Sequence, residues 1–122
     1  MRAIILFAHG ARDPEWARPF HRIQALIRTR LPDTPIELAF LEMMKPNLLT
    51  AVEAVIAQGA TAITVVPLFM AQGGHLREDV PRLLDQIRLS HPTVAVSMTS
   101  PIGEVEAILQ QIAEWVVLGH NS

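Results

Sequence analysis

The chain has 122 residues, which fits one domain, 1–122, and leaves little room for a second. Half of its residues are apolar and 18% are charged, against a usual ~25% charged. Mean hydropathy is +0.29, so a domain this small is expected to cover part of its surface with a partner. A net charge of −2 gives no basic stripe for nucleic acid, and the lack of cysteine excludes disulfides, thiolate metal sites and a cysteine nucleophile.

The opening, "MRAIILFAHG", imitates a signal peptide for a moment. Its apolar stretch Ala3–Ala8 is six residues, short of the usual ~7–15, and no small-x-small cleavage site follows. It reads as a buried first strand. No segment approaches the ~18 apolar residues of a membrane helix, so no membrane partner is expected and the cytoplasm is the expected location.

The first strand is followed by an amphipathic stretch, Glu15–Arg30, which "LPDTP" ends. A second apolar run, Ile36–Leu41, leads to Asn47–Gln58, where Leu48, Leu49, Val52, Val55 and Ile56 share one helical face and "QGA" supplies a glycine stop. The third run, Ala62–Pro67, leads to Leu76–Leu89, which "SHPT" ends. The fourth, Val94–Met98, leads to Glu104–Val117, with Val105, Ile108, Leu109, Ile112 and Val116 in helical register. The runs are nearly continuously apolar, the pattern of strands covered on both faces. The order βαβαβαβα with short connections and right-handed crossovers predicts an α/β fold: a small flavodoxin-like domain with a four-stranded parallel sheet, order 2-1-3-4, and helices on both faces.

In such sheets ligands bind outside the carboxyl ends of the strands, near the switch in strand order. Strand 1 delivers His9, Gly10, Ala11 and Arg12 to that rim, and strand 2 delivers Glu42, Met43 and Met44. Strand 3 delivers Phe69, Met70, Ala71, Gln72, Gly73, Gly74 and His75. Adjacent strands 1 and 3 bring the loop histidines His9 and His75 towards each other. Two neutral imidazoles near a carboxylate suit a borderline divalent metal such as cobalt, nickel, iron or zinc, and histidine also accepts a proton near neutral pH. Two or three protein ligands leave positions open for substrate. Gly73 and Gly74 either permit positive φ in a turn or let a flat ligand approach the backbone. Arg12 and Arg77 either meet substrate carboxylates or pair with Asp13 and Asp79. Met43, Met44 and Met70, beside Phe69, either fill the core or form an apolar shelf. His21, His91 and His120 read as structural.

"HGARDP" after strand 1, "FLEMMKPNL" after strand 2 and "VVPLFMAQGGHLREDVP" after strand 3 resemble the short, single-domain CbiX-type sirohydrochlorin chelatases, relatives of the class II tetrapyrrole chelatases. The resemblance covers about 2–117 and departs at Ala11, where the family often has serine. It implies insertion of a divalent metal, Co²⁺ above Fe²⁺ or Ni²⁺, into sirohydrochlorin during cobalamin or sirohaem biosynthesis. The metal would be a substrate, with no tightly bound cofactor. On this resemblance His9 accepts protons and binds metal, His75 is the partner metal ligand, Glu42 stands at the rim, and Phe69–Gly74 line the macrocycle. Longer family members carry two such domains, so a single-length chain is expected to pair with itself.

A non-catalytic metal or tetrapyrrole carrier would use the same two histidines. A histidine phosphatase is less well matched, because Ala8 stands where that type has arginine in "RHG". A flavin or phosphate module lacks its Gly-rich loop after strand 1.

Overall fold

The alternation of apolar runs and amphipathic stretches becomes a four-stranded parallel sheet in the order β2-β1-β3-β4, in a computed structural model that describes residues 1–121. The strands are β1 (Arg2–Ala8), β2 (Ile36–Phe40), β3 (Ala62–Pro67) and β4 (Ala95–Met98), alternating with α1 (Arg18–Arg30), α2 (Leu48–Ala57), α3 (Gly74–Ser90) and α4 (Glu106–His120). Short 3-10 turns, Pro14–Ala17 and Ile102–Glu104, precede α1 and α4. The expected class and strand order are therefore found, with boundaries moved by a few residues. The start of α1 moves because Asp13 accepts the Glu15 N–H and Pro14 opens a 3-10 turn. Asn47 caps α2 by accepting the Thr50 N–H at 2.9 Å, and Gly59, at φ +101°, reverses the chain after it.

Strand alternation divides the core in two. Ala3, Ile5 and Phe7 of β1 join Ile63, Val65 and Val96 beneath α2 and α3. Leu6 and Ala8 join Ile36, Leu38 and Phe40 beneath α1, which contributes Phe20, Ile23 and Ile27. Both edges of the sheet are blocked by side chains. Gln24 and Arg28 donate to the Ile36 carbonyl at 2.7 and 3.0 Å, which satisfies the buried side chain of Gln24. Arg88 donates to the Val96 carbonyl at 2.8 and 3.0 Å. Such capping discourages edge-to-edge pairing with other chains.

Cover on both faces, expected for every strand, holds for β1 and fails for β3 and β4. β3 alternates buried with half-buried residues, and only Val96 of β4 is buried. The reason is α4, which buries none of its residues and packs mainly on the 3-10 turn before it. Among the described residues no helix is long and apolar enough to cross a membrane.

Ile63 is 1% exposed in the larger cluster, whereas Leu89 on α3 is 82% exposed. Ile63→Ala is expected to cost about 2–5 kcal/mol through lost transfer energy and a cavity. Leu89→Ala is expected to stay within about 0.5 kcal/mol. Denaturant midpoints at constant slope measure both, and equal losses would contradict this placement of the core.

Candidate active site

β1 is interior to the sheet, with Ala8 beside Phe40 of β2 and Phe7 beside Pro67 of β3. The loops that leave those neighbours stay tied to β1 beyond the strand ends. Leu41 N–H donates to the Ala8 carbonyl at 2.9 Å, Glu42 N–H to the His9 carbonyl at 3.1 Å, and Leu68 N–H to the Phe7 carbonyl at 2.8 Å. His9 thus emerges at the rim with one loop on each side.

Gly10 allows the β2 loop to come so close. Its φ is +97°, and a Cβ there would overlap the carbonyl oxygen of Glu42. That oxygen also accepts the Met44 N–H at 2.8 Å, closing a three-residue γ-turn in which Met43 takes φ +64°. A non-glycine residue held there costs on the order of 1–3 kcal/mol, and such strain clusters at functional sites.

His9 Nε2 lies 3.1 Å from Glu42 Oε1, with the two side chains 46% and 51% exposed. A pair this open to water adds only about 0–1 kcal/mol to stability, so its consequence is orientation. An ionised carboxylate can only accept, so a neutral His9 donates through Nε2–H and keeps the lone pair on Nδ1. Edge-on to the imidazole stands Phe69, with ring centroids 6.3 Å apart. Phe69 is buried and packs on Phe7 at 5.6 Å. Behind this loop the Gly103 N–H donates to the Phe69 carbonyl at 3.1 Å, and a Cβ on Gly103 would overlap the Met70 carbonyl.

His9, Glu42 and Phe69 are brought together as a unit. His75 is exposed and lies in the first turn of α3, which begins at Gly74 and not at Leu76; it is a helix residue, not a loop residue. It does not complete a ligand set with the other two: among the described residues no three His, Cys, Asp or Glu side chains are grouped to hold a metal. Gly73 and Gly74 do not adopt positive φ, which removes the turn explanation for them. A Cβ on either would meet nothing within 4 Å, so their backbone faces open space. Arg12 and Arg77 are exposed, and no ion pair joins them to Asp13 or Asp79. Met43 and Met70 face outward at 61% and 55% exposure, while Met44 packs into the core under α1. Ala71 is exposed and Gln72 half-buried on the loop before α3. His91, at the opposite end of α3 from His75, lies 3.9 Å from Glu53.

One residue escaped the sequence reading. Lys45 is exposed and lines a cleft of about 520 Å³ next to Glu42, with Met43, Asn47 and Thr50. Its signal was available, because it directly follows "EMM" at the end of strand 2.

The family described as CbiX matches residues 3–117. A sirohydrochlorin cobaltochelatase of Saccharolobus solfataricus is 33% identical over 99% of this chain and 98% of its own length. A sirohydrochlorin ferrochelatase of Bacillus subtilis is 29% identical over 91% of this chain, which spans 42% of that longer protein. Among solved structures, a cobalamin (vitamin B12) biosynthesis CbiX protein from Marinobacter aquaeolei VT8 superposes with a TM-score of 0.86 at 32% identity, covering 99% of this chain and 98% of that one.

Gly10→Ala is expected to destabilise the protein by more than about 1 kcal/mol, since it combines positive φ with a backbone clash. Glu42→Gln, at an exposed position, is expected to cost under about 1 kcal/mol. Thermal unfolding of the two variants beside the parent checks this; an unperturbed Gly10→Ala would mean that the β2 loop is not held against β1.

Proposed function

The chain belongs to the CbiX family, and from this membership we infer that it is a sirohydrochlorin chelatase, a lyase-type enzyme that inserts a divalent metal into that tetrapyrrole. The observation that carries the mechanism is the His9–Glu42 pair at the rim beside the Phe69 ring.

Insertion exchanges two ring N–H protons for one divalent ion. The chain must therefore hold the ion as it sheds water, accept protons, and seat a flat ring. Oriented by Glu42, His9 offers the Nδ1 lone pair for the first two tasks, and Glu42 supplies carboxylate oxygens beside it. Two such donors leave most of the ion's coordination positions open to water and the ring nitrogens. His75, not grouped with that pair in this structure, is the proposed second imidazole from the head of α3. The apolar face of the ring rests against Met43, Met70 and the loop rooted by Phe69, where Ala71, Gln72 and the open backbone of Gly73 and Gly74 let it approach. Arg12 and Lys45 meet the carboxylates at its fringe.

Cobalt is the proposed metal. The cobaltochelatase matches this chain along nearly its whole length, whereas the ferrochelatase is more than twice as long. Imidazole and carboxylate donors accept cobalt, iron and nickel alike, so the donor set itself does not select. The proposed state is a cytoplasmic homodimer, supported by the exposed Ile112, Trp115, Val116 and Val117 of α4.

Mixed with metal-free sirohydrochlorin and excess Co²⁺, catalytic amounts of the protein are expected to convert the visible spectrum through many turnovers; a change that stops at one equivalent would make it a carrier. His9→Ala is expected to lower the rate by about 10²-fold or more, and His75→Ala to abolish most of it, both with unfolding temperatures close to the parent's. Full activity in either variant would remove that histidine from the reaction. Light scattering is expected to give about twice the 13.5 kDa chain mass, and a uniform 13.5 kDa particle would refute the dimer.

A further inference from the structure

The loop that would receive the ring has little of its own to hold it. Among the described residues Met70, Ala71 and Gln72 form no hydrogen bond, so the loop's position is decided at its root. There two adjacent residues are tied in different directions. Leu68 N–H donates to the Phe7 carbonyl of β1 at 2.8 Å, and the Phe69 carbonyl accepts the Gly103 N–H at 3.1 Å.

Gly103 belongs to the 3-10 turn Ile102–Glu104 that follows β4, and that turn is itself fixed. Thr99 N–H donates to the Val65 carbonyl at 3.0 Å, which prolongs the pairing of β4 with β3. Pro101 is buried, and the Glu104 and Val105 N–H groups donate to the Pro101 and Ile102 carbonyls at 2.9 and 3.1 Å. Against this turn lies the Met70 carbonyl. A Cβ on Gly103 would overlap its oxygen and stand 2.8 Å from the Met70 Cα, where two carbon atoms need about 3.5–4.0 Å. Any side chain at position 103 therefore excludes Met70 from its present place. Gly10 admits the Glu42 carbonyl in the same way, so both loops that line the rim rest on a glycine of a neighbouring loop. The two glycines differ in one respect. Gly10 has positive φ and Gly103 has not, so alanine at 103 keeps a permitted backbone. It acts through Met70, which owns all three atoms nearest the missing Cβ.

We propose that Gly103 is a positioning residue of the site, which sets affinity for the macrocycle without taking part in metal capture. The proposal rests on the chelatase reading. By leaving room for the Met70 carbonyl, Gly103 lets the loop lie low enough to receive the ring on Met70, Ala71 and the backbone of Gly73 and Gly74. A Cβ there lifts Met70 off the turn and tilts that seat. His9 and Glu42 stay in contact, because Leu41, Glu42 and Gly10 set their approach from the β2 side. His75 keeps its place too, since Val80, Leu84 and Ile87 anchor α3 in the core. The loss falls on ring binding, which appears in KM, and not on proton and metal chemistry, which appears in kcat.

Gly103→Ala is to be compared with the parent and with Gly119→Ala, where a Cβ meets nothing within 4 Å. Metal-free sirohydrochlorin is titrated into each protein, and initial rates are then measured against sirohydrochlorin and against Co²⁺. Gly103→Ala is expected to raise both the dissociation constant and KM for the tetrapyrrole by about tenfold or more. Its kcat and half-saturating Co²⁺ concentration are expected to stay within about twofold of the parent's, and Gly119→Ala to match the parent throughout. An unchanged tetrapyrrole affinity, or a loss confined to kcat or to Co²⁺, would overturn the proposal while leaving the chelatase reading in place. If Gly103→Ala loses cooperative unfolding, hydrogen exchange in the parent decides. Metal-free sirohydrochlorin is expected to slow exchange of the Gly103 amide by about fivefold or more, because a seated ring keeps the loop on its turn. Co²⁺ alone is expected to leave that exchange unchanged, and exchange indifferent to the tetrapyrrole would refute the coupling. A parent that neither binds nor metallates sirohydrochlorin would remove the chelatase reading and this proposal together.

Discussion

Three successive carbonyls at the end of β1, those of Phe7, Ala8 and His9, hold the amides of Leu68, Leu41 and Glu42. Everything at the rim depends on this lacing. It works because β1 lies inside the sheet, with β2 on one side and β3 on the other, so the loops on both sides can reach its last residues. Parallel pairing in register ends all three strands at the same level. Gly10 then removes the one side chain that would keep the Glu42 loop away, and the His9–Glu42 contact follows from backbone geometry more than from attraction between the two groups.

Stability and chemistry occupy different parts of the molecule. The larger core, beneath α2 and α3, is built of residues at or near zero exposure, and burial of this kind is the main favourable term in folding. The site instead is open to water, includes a left-handed Met43, and contributes little to holding the fold together. In the proposed reaction its histidine and carboxylate change partners, from each other to an incoming ion, without disturbing the sheet. Phe69 links the two regions: its ring is buried against Phe7 and its edge faces His9.

The two faces of the sheet are unequal. Two helices cover one face, while α1 alone covers about half of the other. Thr64, Val66, Ala95 and Ser97 of that face lie half-buried or exposed, and α4 leaves Trp115 open to solvent. The relative from Bacillus subtilis, of which this chain spans 42%, has length for a second unit of this size within one polypeptide.

Strand order, helix count and the gathering of His9, Glu42 and Phe69 at one rim were legible in the amino-acid sequence. They follow from local periodicity, from turn residues and from the handedness of crossovers, none of which needs long-range detail. The role of Gly10 was not legible, because "HGAR" shows a glycine but not the Glu42 carbonyl, brought against it from more than thirty residues away. The place of His75 in the first turn of α3 is not legible in the sequence, because Gly73 and Gly74 look like a turn, yet Gly73 serves as an extended N-cap and Gly74 begins the helix. The sequence is least informative about the cover of β3, β4 and α4. Their apolar patterns are those of buried elements, and a pattern records that a face is to be covered without recording by which chain. Only the tertiary structure shows that α4 is carried away from its own sheet.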